Sequence, residues 1–110
     1  MYYRYELWVD DEFQGIGFLQ GLDDLGLPDW KVDELVFPFD ELLPLPLEVL
    51  ENGPTLSYFT EEGNGYFEEA IRNVIAAYDE DGLFYVECRA VEEIEGDIAY
   101  EDTWQVIAWQ

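Results

Sequence analysis

Tyr3, Tyr5, Leu7 and Val9 alternate with Arg4, Glu6 and Trp8, the period of two that a strand shows when one of its faces is buried. The acidic run Asp10-Asp11-Glu12 then predicts a tight turn into a second short strand near Phe13 to Phe18, so the chain opens with a hairpin. Gly15 and Gly17 weaken that second strand and mark a bulge or a close backbone approach. From Gly21 to Pro54 regularity is lost. Prolines at 28, 38, 44, 46 and 54 interrupt apolar runs such as Leu42-Leu43-Pro44-Leu45-Pro46-Leu47. A long packed connection is expected there, with a helical turn around Leu19 to Leu25 and a short strand or turn at Asp33 to Val36.

Thr55 to Thr60 is rich in β-formers and is followed by turn composition at Glu61 to Gly65. Phe67, Ala70, Ile71, Val74, Ile75 and Tyr78 then recur at helical spacing, and Gly82 is placed to end that helix. Its outer face carries Glu68, Glu69, Arg72, Asn73 and Asp79. Leu83 to Val91 and Ile98 to Trp109 are long β-prone runs on either side of Glu95-Gly96-Asp97, which reads as the turn of a second hairpin. The expected fold is α+β, with an antiparallel sheet of about four to five strands and one main helix (about residues 64–80) packed on it. Its order is ββ, irregular, β, α, ββ, and residues 1–110 form a single acidic domain.

Composition changes this picture in one respect. The chain has 27 acidic residues against four basic ones, Arg4, Lys31, Arg72 and Arg89, for a formal net charge of −23. Acidity of this order often accompanies disorder, but 49% hydrophobic and 17% aromatic content supplies a core. The acids are spread along the chain in clusters, among them Asp23-Asp24, Asp33-Glu34, Asp40-Glu41, Glu61-Glu62 and Asp79-Glu80-Asp81. Folding should therefore array them over a rigid surface. No stretch approaches the roughly 18 to 20 apolar residues of a membrane span, and the N-terminus lacks a basic segment followed by an apolar one. A cytoplasmic location is expected. Cys88 stands alone and reads as a small core hydrophobe.

Residues that carry chemistry are scarce. There is no histidine, Ser57 is the one serine, and Lys31 is the one lysine, so triads and zinc sites lack their usual members. Gly15-Ile16-Gly17-Phe18-Leu19-Gln20-Gly21 approaches a dinucleotide loop, but its third glycine is one position late and no βαβ unit surrounds it. Asp79-Glu80-Asp81-Gly82 approaches a calcium loop, but alignment on Gly82 puts Ala77 and Cys88 at the two essential end positions. Carboxylate pairs are too many for any one to mark an acid and base. No enzyme activity, cofactor or metal is expected.

Charge is the one positive signal. It exceeds the net magnitude of about 2 to 8 that solubility requires, and it repels nucleic acid and anionic lipid alike. Asp79, Glu80 and Asp81 crowd a helix C-terminus, where the macrodipole disfavours anions. The expected partner is a basic protein, a nucleic-acid-binding protein or nuclease, whose binding groove this chain occupies as a nucleic-acid-mimicking decoy. Inhibitors of CRISPR or restriction nucleases and immunity proteins against nuclease toxins both fit. Expected partner-binding residues are Asp79, Glu80, Asp81, Glu92, Glu93, Glu95, Asp97, Glu101 and Asp102, with Trp8 and Trp109 as aromatic anchors. Glu93, Glu95 and Asp97, read as a strand, would stand about 6.6 Å apart, near two DNA base steps. The alternatives are an adaptor domain for a basic protein without nucleic-acid mimicry, and general adaptation of the surface to high salt.

Overall fold

The computed structural model describes residues 1–40, 43, 51, 52 and 55–109. The opening hairpin forms as the alternation predicts. Strand β1 (Tyr2–Val9) turns through Asp10, at φ 54°, into β2 (Glu12–Gly17), with Val9 opposite Glu12. Between the pairs Trp8/Phe13 and Glu6/Gly17 the register slips, so β2 carries extra residues in the stretch that holds Gly15. A 3₁₀ helix (Gln20–Leu25) forms where a helical turn is expected, and Gly26 closes it at φ 69°.

The stretch expected to be irregular instead contains α1 (Asp29–Asp40), so a strand or turn at 33–36 is corrected to helix. The Pro28 carbonyl accepts from the amides of Lys31 and Val32, which satisfies donors of the first turn. Leu35 and Phe39 are buried on the inner stripe with Val32 and Val36 half-buried beside them, a helical spacing throughout. Pro38 lies in the last turn, where it withholds a donor from the Glu34 carbonyl, and the helix ends two residues later. The run from Leu42 to Leu47, except Leu43, lies outside the described residues, as do Glu41 and Pro54.

Strand β3 (Thr55–Thr60) leads into α2 (Glu61–Tyr66), a short helix where a turn is expected. The Thr60 hydroxyl caps it by accepting from the Gly63 amide at 3.0 Å and itself donates to the Thr103 carbonyl at 2.6 Å. The main helix, α3 (Glu68–Asp81), buries Ile71, Val74, Ala77 and Tyr78 and ends at Gly82, whose φ of 80° is the left-handed cap expected of it. Strands β4 (Tyr85–Val91), β5 (Ile98–Glu101) and β6 (Gln105–Trp109) complete a six-stranded antiparallel sheet.

The C-terminal pairing differs from expectation. Strand β4 does not fold back on β5. It runs the length of β1, from Tyr2/Val91 to Trp8/Tyr85. The hairpin is instead β5–β6, and its turn lies at Asp102 to Trp104 inside the run that read as one strand. The other edge of β1 is shared, with β2 beside residues 6–9 and β3 beside Tyr2 and Tyr3. Strand β3 then pairs with β6, and β6 with β5.

The 3₁₀ helix, α1 and α3 cover one sheet face, the face bearing Tyr3, Tyr5 and Leu7. An aromatic cluster forms the centre. Phe39 and Phe67 stack at 5.2 Å between ring centroids, Phe59 meets them at 6.2 and 5.9 Å, and Phe18 meets Phe39 and Phe59 at 6.0 and 6.1 Å. Most aromatic residues are thereby used in packing. Cys88 departs from expectation: it lies on β4, which pairs with β1 alone, and its thiol is exposed.

Candidate functional site

Strand alternation sends Arg4, Glu6 and Trp8 to the sheet face opposite the helices. Glu6 nevertheless is only 2% exposed. Its carboxylate accepts from the Arg4 guanidinium, from Arg89 Nε at 2.5 Å and from the Trp8 indole at 3.2 Å. Arg4 and Arg89 are direct cross-strand partners, so two like charges face each other with the carboxylate as their bridge. Aromatic rings enclose the cluster. The Arg4 guanidinium lies 5.4 Å from the Tyr58 ring and 5.9 Å from Phe13, Arg89 lies 5.7 Å from Trp8, and Trp8 sits against both Phe13 and Tyr85. The Glu6 bonds hold the Arg89 guanidinium above its ordinary pKa.

The remaining cations are also matched. Lys31 faces Glu34 at 3.8 Å on α1, Arg72 pairs with Glu68 on α3, and the N-terminal ammonium of Met1 lies 3.3 Å from Glu61. Every lysine and arginine in the chain thus has a carboxylate partner within it. Exposed acidic side chains among the described residues far outnumber the basic side chains that reach solvent, Lys31, Arg72 and Arg89.

Antiparallel pairing sorts the expected partner-binding acids into separate groups. Asp79, Glu80 and Asp81 are exposed in the last turn of α3, which carries no basic residue, and β4 begins four residues later. There Tyr85 donates to the Asp10 carbonyl at 2.7 Å, which brings the Asp10-Asp11 turn to the same pole. Glu92 and Glu93 come after β4 at the opposite end of β1, near Tyr2. Glu61 and Glu62 reach that end because Thr60 pairs with Tyr2, and the β5–β6 turn after Glu101 reaches it because Gln105 pairs with Phe59. The poles are separated by the length of β1, about 23 Å at the usual strand rise.

Three placements change the expected site. Glu93, Glu95 and Asp97 lie in an irregular loop broken by Gly96 at φ 87°, so the regular strand spacing that resembled base steps is absent. Asp97 belongs to the far end of β6, where its carbonyl accepts from the Trp109 amide at 2.9 Å. Asp102 is half-buried, and its carboxylate accepts from the Trp104 and Gln105 amides at 2.8 and 2.9 Å and from the Tyr100 hydroxyl at 2.7 Å. It builds the β5–β6 turn. The same bond raises the Tyr100 pKa.

Trp8 and Trp109 are both half-buried, and Trp8 is committed to the Glu6 cluster. The large aromatic side chains most open to solvent are Trp30 at 68%, Tyr66 at 62% and Phe37 at 60%. Trp30 and Phe37 are missing from the anchors expected of the sequence because no helix is expected there; on α1 they fall seven residues apart on one stripe. No group of three cysteine, aspartate or glutamate side chains among the described residues is arranged to hold a metal ion. No helix among them is long and apolar enough to cross a membrane. Comparison of the chain with protein-family models, curated proteins and solved structures finds no match in any of the three.

Proposed function

We propose that this protein is a non-enzymatic inhibitor that occupies the basic, nucleic-acid-binding surface of a partner protein such as a nuclease, acting as an acidic decoy. One observation carries the reading: all four basic side chains are engaged by carboxylates within the chain, Arg4 and Arg89 sharing Glu6, which leaves carboxylates in large excess at both poles. A field of one sign steers a basic partner into rapid encounter and repels nucleic acid itself. The mimicry lies in the sign and density of charge over a rigid body, since the loop at 92–97 supplies no ladder at base-step spacing. The test is affinity capture from host lysate at low and moderate salt, followed by elution with duplex DNA or RNA. Recovery of a basic nucleic-acid-handling protein that nucleic acid displaces supports the decoy. Capture indifferent to nucleic acid overturns it in favour of an adaptor, and recovery of no such protein overturns it outright.

A further inference from the structure

The outer stripe of α1 alternates exposed aromatic and acidic side chains. Trp30 and Phe37 stand two turns apart, about 10.5 Å along the axis, and are exposed while Leu35 and Phe39 on the inner stripe are buried. Between them, one turn from each, lie Asp33 and Glu34, both exposed, and Asp29 and Asp40 lie exposed at the helix ends. The stripe reads apolar, acidic, apolar. Its one cation, Lys31, is drawn to Glu34 at 3.8 Å.

We infer that this stripe is the anchoring site for the partner, and that it receives an arginine-bearing protein surface. The inference rests on the proposed function and deepens it by naming the face and the side chain it recognises. An arginine offers a flat, weakly hydrated cation that stacks on an indole while its fork binds a carboxylate. Trp30 with Asp33 and Glu34 one turn away supplies both halves of that recognition. A lysine ammonium is more strongly hydrated and gains less from the ring. A second copy of this chain is a poor occupant, since two such stripes would oppose their carboxylates, and nucleic acid and anionic membranes are repelled. Elsewhere charge sets encounter, and here the aromatic pair sets residence time.

The test uses the full-length protein with octa-arginine and octa-lysine peptides in about 150 mM salt, followed by ¹H–¹⁵N chemical-shift mapping and calorimetry. Octa-arginine is expected to perturb amides of residues 29–40 most and to bind more tightly than octa-lysine. Trp30→Ala/Phe37→Ala should weaken octa-arginine about tenfold and abolish its advantage, with thermal stability unchanged because both side chains face solvent. Glu68→Gln/Glu69→Gln on α3 removes two charges and should weaken both peptides alike by a smaller factor. Shifts centred on either acidic pole, or an aromatic double variant that binds like the parent, overturn the inference. The two readings fail separately. A lysate partner retained unchanged by the aromatic variant overturns the anchor and leaves the decoy standing, whereas arginine-selective binding on α1 without any nucleic-acid-displaceable partner does the reverse.

Discussion

Replacing Glu6 with glutamine sets two electrostatic effects against each other. The substitution removes one negative charge from a chain at −23, which relieves repulsion, and it removes the bridge between Arg4 and Arg89. Relief is small: exposed charge pairs contribute about 1 kcal/mol or less and are screened beyond roughly 10 Å at 0.1 M salt. The bridge counts for more. Breaking a fully buried ion pair costs about 3–5 kcal/mol. Arg89 is half-exposed and can turn to water, so the cost falls toward the range of a single charged hydrogen bond, about 2–3 kcal/mol. Glutamine keeps one oxygen for the indole and the guanidinia but turns an amide donor toward a guanidinium donor. For 110 residues the entropy of unfolding near the midpoint is about 0.23 kcal/mol per degree, so Tm should fall by about 9 to 13 °C. Glu87→Gln is the control, because Glu87 lies directly across from Glu6 in the β1–β4 register, is exposed, and carries the same charge. It should leave Tm unchanged or slightly higher. Urea melts at about 0.05 and 0.5 M salt should show the gap between the two variants persisting at high salt with m unaltered. If Glu6→Gln is as stable as the parent in both salts, the cluster contributes nothing to the fold and general repulsion governs.

Gly63→Ala should destabilise by about 1–3 kcal/mol in urea denaturation, because an added Cβ would stand 2.1 Å from the Trp104 carbonyl oxygen, a backbone atom that Thr60 also uses. Tyr78 donates its buried hydroxyl to the Phe18 carbonyl, and burial holds its pKa well above the ordinary 10. Below pH 10 both states keep that proton; above it the unfolded chain loses the proton while the folded one holds it, so stability declines as pH rises past 10. Phenolate absorbance should show Tyr78 ionising only as the fold opens, and its titration with the exposed tyrosines would refute its burial. Asp102→Ala should lower Tm through loss of the β5–β6 turn, whereas Glu101→Gln, which touches no such bonds, should leave Tm alone and weaken partner binding if that pole is used. Neutralising Asp79, Glu80 and Asp81 together relieves an acidic helix C-terminus and should raise Tm by a few degrees at low salt while lowering partner affinity.

Elements whose pattern is local were legible in the sequence. The β1–β2 hairpin needed its alternation and the turn at Asp10, and α3 needed its apolar spacing and Gly82. Helix α1 carried the same spacing in Val32, Leu35, Val36 and Phe39, but Pro38 and the proline-rich run beyond it outweighed that signal. The start signal was present, since proline at position 28 is compatible with a helix beginning there. A helix at that point places Trp30 and Phe37 on one exposed stripe from sequence alone.

The remaining differences arise from pairing across long sequence distances, which a local pattern does not encode. Leu83 to Val91 reads as a strand whatever its partner, and its pairing with β1, about 80 residues away, decides that Cys88 is exposed and that 92–97 is a loop. The same pairing converts Glu6 from a surface carboxylate into the buried centre of the opposite face. A signal for that was available in the rarity of the cations: with only four in the chain, two lie on β1 and β4, each within a β-prone run beside a carboxylate. Where one charge type is this scarce, its members are where internal neutralisation must occur, and an acid sharing their strand face is the first place to look for burial. That reasoning also joins fold to function. Each of the few cations is engaged by a carboxylate of the chain, so the Arg89–Glu6 pair that holds β4 against β1 also offsets one of the few positive charges on an acidic exterior.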